Sequence, residues 1–157
     1  MIPKQVDSRL IVRMNYIAET STLAPRVEAQ VYGNSYKESK LKSSLEITIN
    51  QGILVVKARG RLVYRDEAAA LFGEVLRLLP QSQQFVLDLS EVEMIDGGGL
   101  GELVILLERA RFAGSAMKIA NPSKFIRELL DLTNLSSVFE IYPTVEEAVQ
   151  SCDCELA

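Results

Sequence analysis

Two rhythms of apolar and polar positions alternate along the chain from Leu45 onward. Leu45-Glu46-Ile47-Thr48-Ile49 has period two, Asn50-Gln51-Gly52 supplies turn residues, and Ile53 to Ala58 is more continuously apolar before Gly60. That pattern predicts a β-hairpin. A helical rhythm follows from Glu67 to Leu79, with Ala68, Leu71, Phe72, Val75 and Leu79 on one face, Asp66 as its cap and Pro80 as its stop. Phe85 to Leu89 reads as a buried strand. Gly99 to Phe112 reads as a helix with Leu100, Leu103, Val104, Leu107 and Ala110 inside, Glu102, Glu108, Arg109 and Arg111 mostly outside, and Gly114 at its end. Ala116 to Ala120 is the next strand. Asn121 is expected to cap a third helix with Pro122 at its first position, and Phe125, Ile126, Leu129 and Leu130 form its stripe. Phe139 to Tyr142 is a last short strand. Thr144 to Glu147 has the form of a capping box opening a terminal helix. The order β-β-α-β-α-β-α-β-α predicts an α/β fold with a mixed, mostly parallel sheet that starts with an antiparallel hairpin.

Residues 1–44 keep neither rhythm. They gather polar and turn residues, such as Glu19 to Thr22 and Gly33 to Ser35, around two runs, Leu10 to Ile17 and Val27 to Tyr32, rich enough in β-branched and aromatic residues to be strands if offered an edge. This divides the chain into an N-terminal arm (1–44), a folded domain (45–150) and a short C-terminal tail (151–157). The arm is expected to lie against the domain or against a second copy of it, as an added strand and a route to a homodimer.

Charge and composition then narrow the chemistry. The 157 residues carry 17 basic and 21 acidic side chains, a net charge of −4, and the arm alone is positive. An acidic folded part without a basic–aromatic patch argues against nucleic acid as partner. The longest apolar run, Leu103 to Leu107, is far short of the ~20 residues a membrane helix needs, and no compact apolar signal segment stands at the start. A cytoplasmic protein without membrane insertion is the expectation. There is no histidine, so a Ser/His/Asp or Cys/His relay has no imidazole, and the two cysteines, Cys152 and Cys154, are poor material for a zinc site. They are expected to be exposed, reduced thiols. No catalytic residue, metal ligand or cofactor is expected.

In a sheet of this kind function gathers where strands end and the following helices begin, which points to Glu91 through Gly101. Asp96 can accept from the first free N–H groups of the helix, where the helix dipole favours negative charge. Gly97, Gly98 and Gly99 leave those N–H groups uncovered, so another molecule could approach closely. Leu100 is either core or an exposed contact, with core favoured. The dinucleotide fingerprint fails in both registers, because Glu102 and Val104 stand where glycine is needed, and no lysine lies between Lys57 and Lys118 to complete a Walker loop. Asp88 and Asp96 lack the third carboxylate a magnesium site would use, so both are read as structural.

Taken as a set, several segments resemble the STAS domain family of bacterial anti-sigma-factor antagonists and related modules. They are Val86 to Ser90, Met94-Ile95-Asp96 with Gly99-Leu100-Gly101, Arg109 to Arg111 with Gly114, Ile119 to Ser123, and Phe139 to Tyr142 before Thr144, Glu147 and Ala148. The resemblance spans about two-thirds of the chain. It implies the STAS (SpoIIAA-like) fold, with consecutive strand order wrapped by helices. It also implies no catalysis, and docking onto an anti-sigma factor that is also a serine kinase. Glu93, Met94, Asp96, Gly97, Gly98, Gly99 and Leu100 are then the partner-binding candidates.

One departure stands out. In the antagonists the turn carries two hydroxyl residues between Asp and Gly, and the partner kinase phosphorylates the second to abolish binding. Here Gly97 and Gly98 occupy those positions. Glycine cannot accept a phosphoryl group, so the added charge that breaks the complex cannot be installed there. Ser90 and Ser123 are weak alternative acceptors, each better read as a turn or cap hydroxyl. Two other readings remain open: a STAS subunit of a larger assembly, such as a lipid transporter or stress-signalling complex, and a nucleotide binder using the Gly97–Gly101 loop.

Overall fold

The computed structural model describes residues 11–17, 26–32, 43–63, 65–78 and 84–155. Leu10, Pro80 and the polar stretches 19–22 and 33–39 lie outside the described residues, as do the side chains of Asp66, Leu71 and Cys154. The strands are β1 (Ile11–Ile17), β2 (Arg26–Tyr32), β3 (Ser43–Asn50), β4 (Ile53–Leu62), β5 (Gln84–Ile95), β6 (Ala116–Ala120) and β7 (Ile141–Tyr142). The helices are α1 (Arg65–Leu78), α2 (Gly97–Phe112), α3 (Lys124–Leu132) and α4 (Val145–Glu155). A single sheet takes the order β2-β1-β3-β4-β5-β6-β7. From β3 onward the order is consecutive, antiparallel for β3–β4 and parallel thereafter.

The β3–β4 hairpin closes through Gln51 (φ 50°) and Gly52 (φ 81°). Positive φ at both central residues marks a type I′ turn, whose twist matches that of the flanking strands. Beyond it, the first halves of β4 and β5 are buried on both faces, which is why they read as near-continuous apolar runs. Leu54, Val56 and Ala58 join Phe85, Leu87 and Leu89 in the larger core, packed by Phe72 and Val75 of α1, Leu103, Leu106 and Leu107 of α2, and Ile126 and Leu130 of α3. On the other side of the sheet, Ile53, Val55, Val86 and Ala120 meet Ala148, Val149 and Cys152 of α4. Three helices thus cover one face and α4 covers part of the other.

Helix ends follow their local chemistry. α2 closes with Gly114 at φ 81°, the Ser115 N–H donating to Ala110 O (2.8 Å) and the Gly114 N–H to Arg111 O (3.0 Å). That paired arrangement satisfies two carbonyls left free at the helix end. At α4 the Glu147 N–H donates to Thr144 Oγ1 (3.2 Å), the backbone half of the predicted capping box.

Several expectations are corrected. The segment Ser90 to Ile95 is not a loop: β5 continues to Ile95, paired with β4, which itself runs past Gly60 to Leu62. Gly60 (φ 85°) lets β4 pass through register shifts between Lys57 and Arg61 instead of ending. Asp66 lies inside the first turn of α1, which begins at Arg65. Asn121 takes a left-handed φ of 57°, and the cap of α3 is Ser123, whose hydroxyl accepts from the Ile126 N–H at 3.2 Å. Pro122 therefore precedes the cap. Glu102, expected outside, is buried. Cys152 is not an exposed thiol but fully buried, because α4 continues through the supposed tail to Glu155 and carries it under the sheet.

Candidate functional site

The start of α2 is built by the ends of two parallel strands. Register places Arg61 beside Met94 and Leu62 beside Ile95, so β4 and β5 finish level and the chain turns at Asp96 into the helix. Asp96 is the N-cap, with extended backbone (φ −109°, ψ −177°), and its Oδ1 accepts from the Gly99 N–H at 2.8 Å. Its carbonyl accepts from the Leu100 N–H (2.9 Å), and its N–H reaches Leu62 O at 3.4 Å. The carboxylate expected at this position is therefore a cap, holding one free donor of the helix and placing negative charge at the positive end of its dipole.

The glycines are not equivalent. A Cβ built on Gly99 would lie 2.0 Å from Leu62 O and 2.8 Å from Ile95 Cγ1, so the strand end and the helix start can touch only through glycine. Gly97 and Gly101 meet nothing within 4 Å of a built Cβ, and both are exposed. Gly98 is half-buried. Own-chain packing explains Gly99 and leaves Gly97 and Gly101 without a packing reason.

Of the other candidates, Glu93 and Met94 are on the surface, with Met94 44% exposed and its Sδ 3.4 Å from Arg61 Nη2. Leu100 is only 6% exposed and belongs to the larger core. Its proposed part as a direct contact is corrected: one turn into the helix it faces the sheet, while Gly97 and Gly101 face out. Ser90 is exposed and its N–H donates to Asp88 Oδ1 (2.9 Å). Ser123 is occupied as the cap of α3. The structure thus leaves Glu93, Met94 and Gly97 exposed on either side of the Asp96 cap, and puts Ser123 on another loop.

Sequence reasoning missed Arg61 and Leu62, which shape this turn from β4. It also missed a strip of charges behind it. Lys57 lies 3.9 Å from Asp88 and 3.8 Å from Glu91, and Arg59 pairs with Glu91 and, at 3.2 Å, with Glu46. The available signal was Gly60, since a glycine inside a strand pattern marks a bulge as readily as an end. Among the described residues no group of His, Cys, Asp and Glu could hold a metal ion, and no helix is long and apolar enough to cross a membrane.

Comparison with known proteins adds the family-level finding. The STAS domain family model matches residues 44–148. A Thermotoga maritima protein named an anti-sigma factor antagonist is 36% identical over 62 residues, 40% of this chain and 55% of the relative. A Thermotoga neapolitana protein also named as an anti-sigma factor antagonist homologue is 33% identical over 67 residues, 43% of this chain and 59% of the relative, so the chain spans little more than half the length of either relative. Among solved structures, an anti-sigma factor antagonist from Mycobacterium paratuberculosis superimposes with a TM-score of 0.56 and 27% identity, covering 71% of this chain and 94% of the other.

Proposed function

Since the chain belongs to the STAS domain family, we propose that it is a non-enzymatic docking module that binds an anti-sigma factor or related serine kinase through the Asp96 turn and the exposed start of α2. The observation that carries this reading is the contrast among the glycines. Gly99 is demanded by the Leu62 carbonyl, whereas Gly97 and Gly101 open onto solvent one helical turn apart and keep the helix backbone bare. Glycine inside a helix costs about 1 kcal/mol relative to alanine. A partner's backbone lying close against this stripe gives that cost a function, with exposed Met94 and Glu93 at its rim.

The family's off-switch has no acceptor on this turn, because Gly98 stands where the antagonists carry the phosphorylated hydroxyl. Binding is therefore constitutive with respect to that modification. The names of the Thermotoga relatives and the shared fold support an anti-sigma-type partner. The test is a pull-down from host lysate using the full chain, Gly98→Ser and Gly98→Asp, with and without ATP. Wild type should hold an anti-sigma-type kinase regardless of ATP, Gly98→Ser should lose it when ATP is added, and Gly98→Asp should fail to hold it. Recovery of one and the same membrane assembly by all three forms would overturn the proposal in favour of a fixed subunit.

A further inference from the structure

We infer that the outer edge of β2 is a homodimerisation surface, taken up by the β2 of a second copy in an antiparallel arrangement centred on Ala29. β2 (Arg26–Tyr32, RVEAQVY) is the last strand at one end of the sheet, and none of the described strands pairs with its outer side. It pairs with β1 without a shift over its whole length, from Ile11 opposite Tyr32 to Ile17 opposite Arg26. Edge strands in monomeric proteins are commonly blunted by lysine, proline, bulges or shortness. β2 is seven residues long without lysine, proline or bulge, and its two charged residues, Arg26 and Glu28, are of opposite sign. The opposite edge is blunted by shortness, since β7 is only two residues long.

Register argues for a second copy as the occupant. Ala29 stands opposite Met14, which stands opposite Leu45, and Val31 stands opposite Val12, which stands opposite Ile47. Leu45 lies in the larger core and Ile47 packs against it, so positions 27, 29 and 31 continue the core-side row of the sheet. A twofold axis through Ala29 sets Val27 opposite Val31 of the second copy, Ala29 opposite itself, Glu28 opposite Gln30 and Arg26 opposite Tyr32. The apolar row then crosses the junction unbroken, and no like charges face each other. Placing the axis between residues would mix core-side with outer positions. Centring it on Val27 or Val31 would keep the parity but shorten the overlap and draw in Pro25 or Gly33. Only Ala29 uses the full strand. A twofold contact of this kind closes on itself and does not propagate.

The consequence for docking rests on the function proposed above. β2 is four strand spacings from β5, so the two Asp96 turns of a dimer lie about nine spacings apart, roughly 43 Å along the joined sheet. Both stay uncovered, and the dimer is a bivalent binder.

The test uses the full chain alone, so its outcome is independent of any partner. Sedimentation velocity from low micromolar to sub-millimolar concentration should move from one copy of 17.4 kDa toward twice that mass. Ala29→Lys, which sets like charges against each other on the axis, should stay at one copy with an unchanged far-UV circular dichroism spectrum. Directly opposed antiparallel residues have Cα atoms about 4.5–5.5 Å apart, within disulfide reach. Ala29→Cys should therefore cross-link with itself under mild oxidation well above the wild-type background, and Val31→Cys should not. A single-copy wild type across the range, a dimer that survives Ala29→Lys, or equal cross-linking of the two cysteine variants would each overturn the inference.

Discussion

At residue scale, the three glycines after Asp96 separate into one that the fold requires and others that it tolerates. Gly99→Ala pushes a methyl group into the Leu62 carbonyl, a backbone atom that cannot swing aside. Overpacking of this sort costs about 2 kcal/mol or more, which in a protein of this size lowers Tm by about 4–8 °C. Gly101→Ala should do the opposite, adding about 1 kcal/mol and raising Tm by about 2–4 °C, because the new methyl group meets open space in a helix interior. Thermal melts of the two variants check both signs. If the α2 stripe is the docking surface, Gly101→Ala also weakens partner capture while stabilising the free protein, a split that a purely structural glycine would not give.

At element scale, most of the fold was legible in the sequence, and its misreadings have physical causes. Period and turn chemistry located the hairpin, the apolar first half of β5, the inner face of α1 and, Glu102 apart, that of α2, since each depends on residues close in sequence. The path of β4 and β5 beyond Gly60 and Leu89 was hidden, because their pairing past those points is a long-range contact of polar-looking segments reached through two register shifts. The same pairing concealed Arg61 and Leu62 as builders of the site, whereas Asp96 was recognisable from its place before the glycines. Cys152 was misjudged because its burial depends on where α4 docks, not on its neighbours. That docking makes a prediction: a chain ending at Gln150 loses Cys152 from the smaller core and Ser151, whose hydroxyl accepts from buried Lys118 Nζ at 2.9 Å. Removing the contact and leaving a buried ammonium with one partner fewer should destabilise by about 2–4 kcal/mol. Urea unfolding monitored by circular dichroism measures the shift in midpoint.

At the scale of the whole molecule, the core residues among those described run from Leu45 to Cys152, while β1 and β2 add two strands at one end of the sheet. A chain beginning at Ser43 should therefore still unfold in one cooperative transition, with Tm reduced and not abolished, since β3 loses its outer neighbour but the described core residues are all retained. Differential scanning calorimetry of this shortened chain beside the full chain gives the comparison. Two separate transitions in the full chain, or none in the shortened one, would contradict it.

The packing of Gly99 against Leu62 also has an evolutionary side. Glycine codons of the form GGY become serine codons by a single base change, so the hydroxyls absent from positions 97 and 98 are close at hand in mutational terms. At Gly97 the space for a side chain is already there. Gly99 offers no such freedom, because any replacement collides with the strand end. Where the codon at position 97 has that form, one base change adds a hydroxyl to the turn while the scaffold beneath it stays fixed: the turn's chemistry is free to vary in descent, and its geometry is not.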